Sequence, residues 1–424
     1  MARESSSQTS WDVVVVGAGP AGASISNTLA RLGRRVLLLD RRIPSTFKLG
    51  ETIAPGAIGL VTHFLGDLEA PGAGFSSFYK TAGNVSQWAG DQPDGVDFFF
   101  ASTGFGICID RLDFDAALRA SAIDAGATLL TGDRLVACTP ISDGSQNWEL
   151  ALTPNNERHR ARYLVDCSGR NAAVAQILGA QTHRADRLFA FAQWFYCSGE
   201  DADRYTRIEA APYGWWYSSR LVDGERSRAN GWPSGESGLS REAVATWRIV
   251  VLQTDDDLPE AKIAARAHGF DELLAQTSLI GPMLRDCGYR AAGAIRGAPA
   301  CSQKLSQFCG DAWLAAGDAA QAYDPLSSQG IEKALRSASH AAHMIHYALQ
   351  DCEFGAASLG AGNQYIRQYD EQQAFLWDTY KKQHQFYYAT QLRWPNAPFW
   401  QRRGASAHRA VFDAATHAGS GGLG

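Results

Sequence analysis

Trp11-Asp12-Val13-Val14-Val15-Val16-Gly17-Ala18-Gly19-Pro20-Ala21-Gly22 is the stretch that decides how this chain begins to fold. The β-branched run before the glycines predicts a strand. Gly17 to Gly22 is a complete G-x-G-x-x-G. The small apolar stretch Ala23–Leu32 that follows has helical spacing, with Gly33 as its stop signal. A second strand, Val36–Leu39, ends at Asp40, 18 positions past Gly22. Each part has a physical task. Gly17 permits the tight turn, Gly19 lets the backbone approach a pyrophosphate, and Gly22 lets the helix pack closely on the strand. Pro20 and Ala21 open a helix whose N-terminal N–H groups and positive dipole end suit phosphate oxygens. Asp40, with Arg41 and Arg42 just beyond it, is spaced to accept hydrogen bonds from an adenosine ribose. Strand, glycines, helix, strand and acid arrive in register, which predicts a dinucleotide site in a Rossmann-type α/β domain. The motif alone does not separate NAD from FAD.

The rest of the chain sets the bounds. At 424 residues, a prior of about 150 per domain gives two to three domains or one composite unit. With 45% hydrophobic and 20% charged residues, disorder is excluded as the main state. The net charge of −5, from 39 basic and 44 acidic residues, argues against nucleic acid or an anionic membrane as partner. No apolar run reaches the roughly 18 residues of a membrane-spanning helix. Met1–Ser10 is polar and lacks an apolar signal core, so a cytoplasmic address is expected. The eight cysteines are scattered without a C-x-x-C pair. They read as reduced, mostly buried small side chains, with no metal site expected.

Further along, a helix is expected to about Leu65, strands near Val85–Trp88 and Phe98–Phe100, and a helix from Arg111 through Ile123. Ala127–Leu130 reads as a third parallel strand. Leu135–Thr139, Trp148–Leu152 and Tyr163–Val165 read as a β-meander leading to Asp166-Cys167-Ser168-Gly169-Arg170. Leu188–Asn230 is β-textured and aromatic, Asp223–Ser240 a polar loop, and helices follow around Glu260–Ala267 and Asp271–Leu279. The strand Ala312–Ala316 runs into Gly317-Asp318-Ala319-Ala320. Asp324-Pro325-Leu326-Ser327-Ser328-Gln329-Gly330-Ile331 then enters a helix to about Leu349, and Tyr365–Leu392 is helical.

Four motifs resemble one family when taken together: the N-terminal GAGPAG, Arg111-x-x-Phe-Asp, Val165-Asp-x-Ser-Gly-Arg and Gly317-Asp-Ala-Ala. They are similar to those of FAD-dependent monooxygenases of the aromatic-hydroxylase type and the related flavin-dependent halogenases, over roughly Val13–Arg403. The resemblance implies that Gly317-Asp318 contacts the FAD ribityl and pyrophosphate, and that Arg111 lies along the cofactor together with Gly50, Glu51 and Val136. It also runs Pro325, Ser328, Gln329, Gly330 and Ile331 past the isoalloxazine. The N-terminus of the Ser328–Leu349 helix would then face the flavin N1–C2=O edge, where reduction accumulates negative charge. A helix cap is the bland reading of the same residues.

Three details narrow the resemblance. Lys48-Leu49-Gly50-Glu51 with Pro55 looks like the halogenase branch, and Phe78-Tyr79-Lys80-Thr81-Ala82 resembles the place of the halogenase lysine that handles hypohalous acid. The Trp-x-Trp-x-Ile-Pro halogenase signature, however, is replaced by Gly214-Trp215-Trp216-Tyr217-Ser218-Ser219-Arg220. Gly214-Trp-Trp-Tyr-Ser218, Asp324-Pro-Leu-Ser-Ser-Gln-Gly-Ile331 and Pro398-Phe-Trp-Gln-Arg-Arg403 together look like the flavoproteins that mature tryptophan-derived quinone cofactors.

The implied chemistry is hydroxylation of an indole, a tryptophan of a partner polypeptide, by a flavin C4a-hydroperoxide formed from O2. NADH, NADPH or a separate flavin reductase would supply the electrons. Lys80 and Glu51 stand as catalytic candidates, and Trp215, Trp216 and Tyr217 as substrate contacts. For Lys80 a solvated surface residue is the competing reading; for Glu51, a carboxylate favoured by a helix N-terminus alone. His63 reads as packed or exposed, and Asp324 as a turn residue. The alternatives are a two-component halogenase-like enzyme, a hydroxylase of a small aromatic metabolite, or a flavin-bound maturation chaperone.

The expected architecture is a Rossmann-type FAD domain (11–82, 101–187 and 286–350) interleaved with a β-sheet substrate domain (83–100 and 188–285). A C-terminal helical region (351–403) closes it, with flexible ends at 1–10 and 404–424.

Overall fold

The computed structural model describes residues 9–41, 48–98, 104–141, 147–155, 157–199, 201–222, 246–355, 358–360 and 362–404. Arg42, the loop expected over 223–240, and residues 1–8 and 405–424 lie outside the described residues.

Five parallel strands form the spine of the first sheet. They run Trp313–Ala315, Arg158–Asp166, Thr9–Val16, Val36–Asp40, Thr128–Thr131 in spatial order. Val13, Val14 and Val15 are wholly buried, as the continuous apolar run of a strand covered on both faces requires. Thr9 and Ser10, expected to be flexible, instead extend the first strand, opposite His159 and Arg160. The expected meander is present: Arg158–Asp166 pairs antiparallel with Trp148–Thr153, which pairs with Arg134–Pro140. In chain order the five strands read 5-4-1-2-3. The order reverses between the first and fourth, the place where such sheets open a crevice at their carboxyl ends.

A seven-stranded sheet carries the other half. Its long strands Leu188–Cys197 and Thr246–Asp255 pair antiparallel along ten residues. Gly214–Arg220 lies beside them. One face packs Phe191, Phe195, Trp216, Val250 and Leu252 under the helices Pro259–Ala264, Ala267–Ala275 and Ile280–Asp286. The opposite face packs Ala192, Trp194, Trp215 and Val251 against Tyr388, Phe399 and Trp400 near the C-terminus. A strand runs over Asp94–Asp97; of the strand expected at Phe98–Phe100, residues 99 and 100 lie outside the described residues. A strand over Arg290–Pro299 joins this sheet without the alternating pattern that announces one.

Two long helices complete the fold: Gly330–Glu353, packed on Pro20–Arg31, and Gln364–Ala389. The second buries Tyr369, Gln373, Trp377, Tyr380, His384 and Tyr388, a stripe at three- and four-residue spacing. All eight cysteines are free and six are buried. Burial pushes the Cys108 and Cys309 thiols up to about 12, so both stay protonated near neutrality.

Candidate active site

The strand ends and the first helix build a trough. Gly17 has a φ of +105°, and a Cβ there would lie 2.2 Å from the Cys167 carbonyl oxygen. A Cβ on Gly22 would lie 1.8 Å from the Gly17 carbonyl oxygen. Gly19 differs: no atom lies within 4 Å of its Cβ position, and it borders open space. Gly19 is also the N-cap of the Pro20–Arg31 helix and offers no side-chain cap, so the first turn presents its N–H groups outward. A cavity of about 970 Å³ runs from here past Asp40, Arg41 and Val136. A second, of about 530 Å³, shares Gly19, Cys167 and Gly169 with it and continues past Pro20, Ala21, Gly50, Glu51 and Arg111 to Asp318, Pro325, Ser328, Gly330 and Ile331. The residues fit an extended dinucleotide, whose pyrophosphate Gly19 and the first turn of the helix would hold.

Buried polar groups shape this trough. Asp166, fully buried, accepts from the Ser168 N–H at 2.9 Å, the Ser168 hydroxyl at 2.6 Å and the Ala175 N–H at 2.8 Å. It thereby sets the turn that presents Gly169 and Arg170. Arg111 donates to the Leu49 carbonyl oxygen at 2.6 Å and pairs with Asp115 at 3.3 Å, while Lys48 pairs with Asp115 at 2.5 Å. Burial alone raises the Asp115 carboxyl, but Arg111 and Lys48 outweigh it and hold it below the usual range. Asp318 opens onto the cavity with Lys333 at 2.7 Å. Desolvation raises its carboxyl, and Lys333 followed by Arg170 brings it down, leaving a carboxylate suited to a ribityl hydroxyl.

Beyond the dinucleotide-sized part, the inner cavity meets the second sheet at Trp215, Tyr217, Val251 and Pro299. Glu51, 4% exposed, accepts from the Gly50 N–H at 3.0 Å and from the Tyr217 hydroxyl. The Tyr217 hydroxyl also lies 3.1 Å from the Thr52 hydroxyl. Burial, then the Glu51 charge, pushes the Tyr217 phenol well above its ordinary value, so it remains a donor. The Trp215 indole N–H donates to the Tyr388 hydroxyl at 2.9 Å.

Four expectations are corrected: Lys80, Trp216, Gln329 and Gly317 line neither cavity. Lys80 lies away from both cavities, pairs with Glu69 with 44% of its side chain exposed, and stands 4.1 Å over the Phe105 ring. In the short strand Phe78–Thr81 its neighbour Tyr79 takes the inward face, donating to the Arg220 carbonyl oxygen at 2.7 Å. Trp216 points opposite to Trp215 and Tyr217, wholly buried, edge-on to Phe270 at 5.1 Å. Gln329 turns to an outer pocket, while Ser328 and Gly330 on either side of it face the cavity. Gly317 does not line either cavity; its Cβ position falls 2.7 Å from Ala21 Cβ, so it holds the first helix close. His63 is exposed.

Sequence reading missed Arg170 and Tyr323, which line the inner cavity, and read Asp324, which lines it too, as a turn residue. Arg170 was visible within its motif.

Residues 10–51 match the model of an FAD binding domain. Fold and trough together define an FAD-dependent oxidoreductase with the architecture of flavin-dependent halogenases and hydroxylases. Within that class the chain is 28% identical over 410 residues to a protein of Marinomonas mediterranea called FAD-dependent oxidoreductase LodB, covering 93% of this chain and 97% of that one. It is 23% identical over 376 residues to a pyrrole-2-carbonyl peptidyl-carrier-protein chlorinase of Pseudomonas fluorescens, covering 82% of this chain and 78% of the relative. Among solved structures, the myxobacterial chondrochloren halogenase CndH superposes with a TM-score of 0.73 at 20% identity, over 96% of this chain and 90% of that one. The peptidyl tryptophan dihydroxylase QhpG, essential for tryptophylquinone cofactor biogenesis, superposes with a TM-score of 0.61 at 22% identity, over 93% and 79%.

Proposed function

We propose that this chain is a monooxygenase that uses reduced FAD and O2 to hydroxylate an indole, the side chain of a tryptophan in a partner polypeptide during maturation of a quinone cofactor. One observation carries the reading. The cavity continuous with the FAD trough is walled by Trp215, Tyr217 and Pro299 and holds the Glu51 carboxylate in a fixed orientation, and among the described residues no lysine lines it. FAD supplies the activation of O2; the protein supplies position and a partly apolar enclosure that keeps water from the reacting atoms. An indole is already electron-rich, so it needs orientation more than acid–base assistance. Glu51 provides it, with Tyr217 fixing one carboxylate oxygen and the other turned to the Gly50 N–H. The likeness in fold to QhpG, a peptidyl tryptophan dihydroxylase, supports a protein-bound tryptophan over a free metabolite.

Halogenation is the second reading, favoured by the shared fold with CndH. One experiment separates the two. The FAD-loaded chain is reduced with NADH, NADPH or an added flavin reductase, and mixed with O2, chloride and a tryptophan-containing polypeptide. Mass spectrometry is expected to show added oxygen atoms; a chlorine isotope pattern in their place would establish the halogenase reading. In the same assay Lys80→Ala is expected to leave product formation within about twofold of the parent, as for a solvated surface ion pair. Glu51→Gln, which keeps the shape, is expected to lower turnover at least about tenfold with flavin affinity unchanged.

A further inference from the structure

The loop Asp324–Gly330 is a wall with a cavity on each side. Tyr323, Asp324, Pro325, Ser328 and Gly330 line the inner, flavin-facing cavity. Leu326, Ser327 and Gln329 line an outer pocket of about 450 Å³, together with Gln383, His384 and Tyr387 from the long C-terminal helix. Asp324 is 1% exposed and His384 is 9% exposed. The His384 Nε2 lies 3.1 Å from the Asp324 Oδ2, so this titratable pair crosses the wall with a member on each side.

We propose that His384 and Asp324 form a proton relay from the outer pocket to the flavin cavity. Reducing O2 by two electrons while one of its atoms enters a C–H bond leaves the other atom as water, and that balance takes up two protons. In the relay, imidazolium gives its Nε2 proton to the Asp324 Oδ2. An N–H bond breaks and an O–H bond forms, leaving neutral imidazole and a carboxylic acid. The acid releases the proton to a reduced-oxygen acceptor in the inner cavity, and water in the outer pocket reprotonates the imidazole. No electron moves in either transfer.

The surroundings hold the pair in alignment. The Asp324 Oδ1 accepts from the Leu326 N–H at 2.8 Å, and the Oδ2 also accepts from the Tyr388 hydroxyl at 2.8 Å. The Tyr380 hydroxyl accepts from the Asp324 N–H at 2.8 Å and lies 2.7 Å from the Ser302 hydroxyl. The charged groups that act on this cluster are Lys381 on the same helix, Arg403 from the C-terminal turn and Asp186 from the loop beside it. Burial raises the Asp324 carboxyl, but the His384 hydrogen bond and charge, with the Leu326 N–H and Tyr388 hydroxyl, bring it below its ordinary value. Asp324 is therefore held as a carboxylate facing the His384 ring.

The relay rests on the proposed reaction with O2, and its test uses no tryptophan substrate. In the chain stripped of flavin, the His384 ring, identified by its contacts with Tyr380 and Tyr388, is followed by NMR between about pH 5 and about pH 9. A reversible titration is expected; a ring holding one state throughout overturns the proposal even if no variant folds. With FAD restored and photoreduced, the return of yellow colour on mixing with O2 is then timed across the same range. His384→Gln is expected to slow this step by roughly 10²-fold and to flatten its pH profile, with added imidazole restoring the rate. A parental rate and pH profile, or an equal slowing at every pH that imidazole does not rescue, would reduce the pair to a structural bolt. Because O2 takes up protons with or without a substrate, failure here leaves tryptophan hydroxylation standing, and failure to hydroxylate leaves the relay testable.

Discussion

Gly17 and Gly19 sit two residues apart in one motif and answer to different forces. Gly17 has a left-handed φ of +105° and a neighbouring carbonyl where a Cβ would go. Gly17→Ala is expected to cost the protein itself at least about 1–3 kcal/mol, read as a lower denaturation midpoint in the flavin-free chain. Gly19 has empty space at its Cβ position, in the trough where the pyrophosphate would lie. Gly19→Ala is expected to leave the flavin-free stability within about 0.5 kcal/mol and to weaken FAD about 10- to 100-fold, about 1.4–2.8 kcal/mol, by absorbance titration. Equal effects of the two substitutions on stability would refute this division. Trp215 and Trp216 make the same point on a strand. A one-residue step sends the first to the cavity and the second under Phe270. Trp216→Ala is expected to destabilise by about 3–5 kcal/mol through the buried volume it removes, measured by denaturant unfolding.

At the scale of elements, the loop before Glu51 is tied to the helix Arg111–Asp124 by charge. Lys48 and Arg111 converge on Asp115, which is 1% exposed. A carboxyl held below its ordinary value binds its proton more weakly folded than unfolded. Its contribution to stability is therefore complete above the unfolded value near about 3.9 and fades as pH falls through the lower folded value. Asp115 and Asp324 both behave this way. Acid unfolding followed by circular dichroism should show stability falling below about pH 4, and Asp115→Asn should lose part of that slope together with neutral-pH stability. A slope unchanged by Asp115→Asn would show that the ion pairs do not hold the loop. The sequence displayed the basic and acidic residues of this tie but not their meeting, because residues 48 and 115 are joined only by tertiary folding.

For the whole molecule, the FAD-sized trough touches both sheets. Gly19 and Cys167 come from the first, Ala190, Val251 and Gln253 from the second, and Ser328 and Gly330 from the loop that leads into the long helix between them. A ligand bridging these parts stabilises all of them by mass action. At 100 times its Kd, FAD is expected to add about 2.7 kcal/mol and to raise Tm in one shared transition. Two transitions, with only one moved by FAD, would show that the ligand is confined to one sheet.

What the sequence determined by itself was everything local in the chain. Strand–GAGPAG–strand–Asp40 is written in consecutive residues, so the nucleotide-binding sheet, its first helix and the trough around Gly17, Gly19 and Asp40 were legible at once. The same holds for the Gly317-Asp318 turn and for the long helices, whose patterns span several turns. Tertiary structure decided which face of each strand meets the cavity and which distant groups meet each other. It turned Lys80 outward, set Trp216 beneath a helix layer, and brought His384 within 3.1 Å of Asp324, 60 residues away in the chain. The physical reason is that a period-two strand offers two equivalent faces, and an ion pair between remote elements leaves no periodic trace. Only the packing of one element on another chooses between the faces and closes the pair.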